Sequence, residues 1–129
     1  MPIFSISHTV TKEEIDDLQH VNNVVYVQWI QDVADFHWKK LTLNEPPQNY
    51  LWVVIRHEID YLRAAKLGDC VTLKTWIGES KGLKSIRHVE ILKNEVLLAK
   101  AKTTWCMIDA KTYKPIRLPA NVLKILNPS

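Results

Sequence analysis

The chain has 129 residues, the size of one ordinary domain, with 47% apolar and 24% charged residues. That balance fits a globular fold with its own core and excludes a disordered or low-complexity chain. The net charge of +3 is too mild to demand a polyanion such as a nucleic acid, although a local cluster of it could still hold a small anion.

In chain order, Phe4, Ile6, His8 and Val10 alternate with Ile3, Ser5, Ser7 and Thr9, which is the period of a strand. Residues 11–19 are polar and break it. From His20 to about Leu41 there is no Gly or Pro, and Tyr26, Trp29, Ile30, Val33, Phe36 and His37 recur at helical spacing. Such a helix is roughly 30 Å long, at about 1.5 Å per residue. Residues 44–49 form a loop. Residues 50–62 form a strand with Val53, Ile55, His57, Ile59 and Tyr61 on one face. Turns at 66–69 and 78–82 bracket a strand containing Val71, Leu73, Thr75 and Ile77. Residues 85–92 and 96–108 are two further strands joined by Lys93-Asn94-Glu95. A turn-rich stretch runs from Asp109 to Pro119, and a short helix over 120–126 follows, with Pro119 suited to its start.

Short turns imply antiparallel neighbours, so the predicted fold is α+β: one domain over 1–129, a curved five-stranded antiparallel sheet around one long helix. One helix cannot cover both faces of that sheet, which favours self-association. Cys70 and Cys106 are far apart and read as two buried thiols, with a disulfide as the lesser alternative. The N-terminus has no basic segment followed by an apolar run, and no apolar stretch is long enough to cross a bilayer. A cytoplasmic protein with no membrane span is expected.

The chemistry concentrates at the helix entrance, Glu14-Ile15-Asp16-Asp17-Leu18-Gln19-His20-Val21-Asn22-Asn23. A helix start presents unpaired N–H groups and partial positive charge, which suits an anion or a carbonyl oxygen that becomes anionic. A carboxylate beside it, best placed at Asp16, serves as base or nucleophile. Taken alone, Asp16 reads equally as a loop aspartate or a cap, and His20 as a satisfied turn residue. Asn22 and Asn23 are poor helix formers for a purely structural start. Lys81, Lys84, Arg87 and His88 read either as a solvated edge or as a phosphate clamp for a carrier. Tyr26, Trp29, Phe36 and Trp38 read as core, with room for one of them, Tyr26 among them, in an acyl pocket. The five histidines show no metal-ligand spacing, and nucleotide, serine-hydrolase and zinc motifs are absent, so neither metal nor cofactor is implied.

The run Asp16-Asp17-Leu18-Gln19-His20-Val21-Asn22-Asn23-Val24-Val25-Tyr26 resembles the signature of hotdog-fold acyl thioesterases. It is similar to the 4-hydroxybenzoyl-CoA thioesterase branch, with an echo of acyl-ACP thioesterases in Gln19 to Val24 and Trp29-Ile30. Ile59-Asp60-Tyr61-Leu62-Arg63, Leu67-Gly68-Asp69 and the 109–119 segment extend the likeness over nearly the whole chain. The resemblance implies a hotdog fold and a homodimer or homotetramer with sites at the subunit interface. It implies hydrolysis of an acyl-CoA or acyl-ACP thioester by Asp16, assisted by His20 and the backbone N–H of Asn23. Asn22, Tyr26, Lys81, Lys84 and Arg87 would bind substrate, the basic residues meeting carrier phosphates. Three positions depart from the pattern. Glu14 replaces an Asp, Gln19 replaces the Gly of CoA-type members, and Leu18 replaces an Asn of acyl-ACP-type members. The alternatives are a non-catalytic acyl-thioester binding protein and a purely structural, self-associating domain.

Overall fold

The structure, a computed structural model, describes residues 2–128. Its elements are β1 (Phe4–Thr9), a 3-10 turn (Lys12–Glu14), α1 (Asn23–Leu41), β2 (Tyr50–Tyr61), β3 (Cys70–Lys81), β4 (Lys84–Lys93), β5 (Val96–Asp109) and α2 (Ala120–Leu126). The strands form one five-stranded sheet in the order β1-β3-β4-β5-β2. Every pairing is antiparallel. This is the α+β layout expected from the short turns.

Alternation on β3, β4 and β5 puts Val71, Leu73, Val89, Ile91, Ala99 and Ala101 on the inner face. The apolar stripe of α1, Tyr26, Trp29, Ile30 and Val33, packs onto them and forms the main core. A second cluster joins Tyr50, Ile77 and Met107 to Leu118, Val122 and Leu126, so α2 closes the far end. The helix lies over β3 and β1. A cavity remains between it and the β5–β2 side of the sheet.

Five expectations are corrected. Phe36, read as core, is 53% exposed on the outer side of α1. The helix begins at Asn23, not His20, because Asn22 is extended (φ −61°, ψ 136°) and its side chain accepts from the Val24 N–H at 3.0 Å. The Asn pair is thus a cap followed by a first-turn residue. In β2 the register slips between Val54 and Arg56, leaving Ile55 50% exposed. Trp52 and His57, an odd number of positions apart, both reach α1, through Trp38 and Gln31 respectively. Val53 and Ile55 therefore do not share a face with His57. Residues 78–81 belong to β3, and the turn shrinks to Gly82-Leu83, where Gly82 takes φ +65°. Cys106 is buried as expected, but Cys70 is exposed; both are free thiols.

Candidate active site

The segment between β1 and α1 is held at both ends before it presents any chemistry. The Glu14 carboxylate accepts from the Thr11 N–H at 2.8 Å and the Trp29 indole N–H at 3.0 Å, and meets His8 Nε2 at 2.8 Å. It thereby joins β1, the 3-10 turn and α1. Burial pushes this carboxyl up, but the bonds from Thr11, His8 and Trp29 outweigh it and hold its pKa below the usual value. The Glu14 carbonyl accepts from the Asn22 N–H at 2.9 Å, and Ile15 bridges Val21. Residues 15–21 therefore form a small closed loop.

Asp16 stands at its base. Its N–H donates to the His20 carbonyl at 2.7 Å. Its Oδ1 accepts from the N–H groups of Leu18 (2.9 Å) and His20 (3.1 Å). Gln19, at φ +64°, turns the chain back. Asp16 is thus the local turn-former, and its Oδ2 bonds to no described residue. The carboxylate lines a pocket of about 420 Å³ shared with His20, Asn23, Tyr61, Leu62 and Arg63. The His20 ring has no hydrogen bond among the described residues and is free to meet a ligand or a water. The Asn23 N–H, at the first position of α1, also has no acceptor among them, so it offers the donor that a helix start leaves open.

The structure brings Asp16, His20, Asn22, Asn23 and Tyr26 to this pocket. Asn22 is occupied as the helix cap. The Tyr26 hydroxyl accepts from the Ala65 N–H at 2.9 Å, and its ring is buried, so it anchors the wall. Burial raises its phenol pKa. Arg63 also lines the pocket, with no ion pair among the described residues. Sequence reasoning quoted it at the end of a strand without giving it a role. Its signal was a cation immediately past an apolar run, where a strand ends and a loop begins.

The basic group from the later strands is split. Lys81 and Lys84 face each other across the β3–β4 hairpin and are exposed. Register places them level with Val53 on β2, eight positions from Tyr61. At about 3.3 Å per residue they lie roughly 25 Å along the sheet from the pocket. Arg87, three positions beyond Lys84, falls on the opposite face and is buried under α1. Its Nη1 donates to His37 Nδ1 at 2.8 Å and Thr75 Oγ1 at 3.1 Å. Within one chain the three do not form one clamp.

His37 must be neutral to accept from Arg87. Burial, then the charges of Arg87 and Lys40, depress its pKa from 6.5 to about 4. Between these values the unfolded chain binds a proton that the folded chain refuses, so stability falls as pH drops through that window. Urea midpoints measured from pH 7 to pH 4 should decline, and His37→Gln should flatten that slope. An unchanged slope in the variant would place the titration elsewhere.

Comparison with known proteins gives concordant results. A family model described as the acyl-ACP thioesterase N-terminal domain matches residues 3–126. The acyl-CoA thioesterase YbgC of Haemophilus influenzae is 32% identical over 123 residues, covering 92% of this chain and 90% of that protein. The long-chain acyl-CoA thioesterase FadM of Escherichia coli is 31% identical over 111 residues, covering 81% and 82%. Among solved structures, one described as a predicted thioesterase from Bacillus stearothermophilus superposes with a TM-score of 0.88 at 24% identity, covering 98% of this chain and 96% of that one. The shared architecture is the hotdog fold.

Proposed function

The chain belongs to the acyl-ACP thioesterase family, and from that membership we propose that it hydrolyses an acyl-CoA or acyl-ACP thioester at the Asp16 pocket. The observation that carries this reading is a carboxylate oxygen and a helix-end N–H, both without partners among the described residues, lining one pocket. Asp16 Oδ2 takes a proton from water as the oxygen adds to the thioester carbon. Attack by the carboxylate itself, giving an anhydride that water then opens, uses the same atom. The oxyanion forms against the Asn23 N–H at the positive end of α1. Collapse breaks the C–S bond, and the thiolate leaves with a proton. His20, with a free ring at the rim, orients the water or supplies that proton.

Among the described residues no helix is long and apolar enough to cross a membrane. The bacterial relatives support a cytoplasmic site for the reaction. Assembly into a homodimer or homotetramer is supported by the unpaired edges β1 and β2 and by the distance that separates Lys81 and Lys84 from the pocket. A second copy would be needed to bring those lysines to a carrier phosphate.

The test is release of free thiol from a panel of acyl-CoA and acyl-ACP substrates of graded acyl length. Turnover of at least one series is expected, and the preferred carrier and chain length are read from kcat/KM. Binding of acyl-CoA without thiol release would favour a non-catalytic binding protein on the same scaffold.

A further inference from the structure

A second cavity, about 510 Å³ and open on its solvent side, lies between α1 and the β5–β2 side of the sheet. Its wall includes Arg87, Ser85, Trp38, Trp52, Trp105 and Leu126. Arg87 is only 6% exposed, yet no carboxylate pairs with it among the described residues. Its two hydrogen bonds both leave from Nη1, to the uncharged acceptors His37 and Thr75. Nε and Nη2 bond to nothing described, and neither is among the side-chain atoms sealed away without a partner, so they border accessible space. A buried cation without a counter-charge is costly, and a guanidinium fork is shaped for a carboxylate. Burial lowers its pKa to about 10, so it keeps its charge at neutral pH.

We propose that this cavity binds an apolar monocarboxylic acid, its carboxylate on the free edge of Arg87 and its hydrocarbon or ring against the tryptophan wall. The rest of the lining fixes the class. The three tryptophans and Leu126 suit an apolar body, beside the polar Gln28, Gln31 and Gln48. Asp32 and Asp35 stand at the α1 rim, the first accepting from Gln28 at 2.8 Å and the second paired with Lys39 at 2.8 Å. Two carboxylates at the mouth disfavour a polyanion such as a nucleotide carrier and tolerate a single anionic head that passes inward. His37, which contacts Arg87, lies fourteen positions along α1 from Asn23. At 1.5 Å per residue that is about 20 Å, so this site is distinct from the Asp16 pocket of the same chain.

The site stands on its own geometry and does not depend on the thioesterase reading. Binding of octanoate and of 1-octanol to the full-length protein is measured by calorimetry and by tryptophan fluorescence, which the three wall indoles should report. Octanoate is expected to bind at least about tenfold more tightly than octanol, the margin a charge-assisted pair commonly provides. Arg87→Met should erase the difference and leave octanol binding in place, Arg87→Lys should keep part of it, and Asp16→Asn should leave octanoate binding unchanged. Equal affinity of the two probes for the wild type, or binding of neither, would overturn the proposal without reference to any variant. So would a change of oligomeric state in Arg87→Met with no octanoate binding by the wild type, which would give the counter-charge to a carboxylate of a second copy.

Discussion

Asp16→Asn is expected to lower kcat by about 10² to 10⁴, the usual worth of a positioned base or nucleophile, while leaving the melting temperature close to that of the wild type. The separation follows from how the two carboxylate oxygens are used. Oδ1 accepts from the N–H groups of Leu18 and His20 and holds the loop closed. An asparagine keeps an oxygen there, so the loop keeps its shape. What changes is the other position, where an anionic Oδ2 becomes an amide that can neither take a proton nor attack carbon. Asp16→Ala removes both functions. It should add a loss of about 0.5–1.5 kcal/mol in stability, because two N–H groups lose an acceptor that water only partly replaces. Thiol release and thermal melting on both variants check this. Full activity in Asp16→Asn would remove Asp16 from the chemistry.

Asn23→Pro is the second large effect, with kcat expected to fall about 10²- to 10³-fold, as when one oxyanion donor is deleted. Proline at the first helical position removes an N–H that has no intrahelical partner and suits the local backbone. Asn22 before it is already extended, which is what a residue ahead of proline requires. Helix and stability should therefore survive. Asn23→Ala keeps the N–H and should change activity little. If proline and alanine were equally harmless, the oxyanion donor would lie elsewhere.

The helix-entrance residues stood out in the sequence because several such polar groups crowd one helix start, although each taken alone reads as a cap or turn residue. Asp16, His20 and Asn23 do line one pocket. The antiparallel run β3-β4-β5 was within reach because short turns force antiparallel neighbours, whereas no turn sets the pairing of β1 with β3 or of β2 with β5. Four things were hidden for definable reasons. The turn-forming role of Asp16 depends on a turn closed by Gln19 at positive φ, which spacing does not reveal. Glu14 reads only as part of the polar surroundings of Asp16, but its partners His8 and Trp29 come from two other elements, and they make it a structural node. Arg87 reads as a neighbour of Lys84 in sequence, yet the period of a strand puts an odd offset on the opposite face. Arg63 carried no role in the sequence because it gains meaning only when the end of β2 reaches the helix entrance.

The slip in β2 between Val54 and Arg56 has a further meaning. Before it, Tyr50 and Trp52 belong to the cluster closed by α2; after it, Ile59 packs on the cluster under α1. A regular strand could send residues of only one parity inward, so it could serve one of these cores and would turn the other set to water. Ile55 is the joint that lets a single strand change parity midway. Chain length at this point is therefore constrained in units of two: one residue more or fewer would exchange inside for outside along half the strand, whereas a pair would only shift its reach.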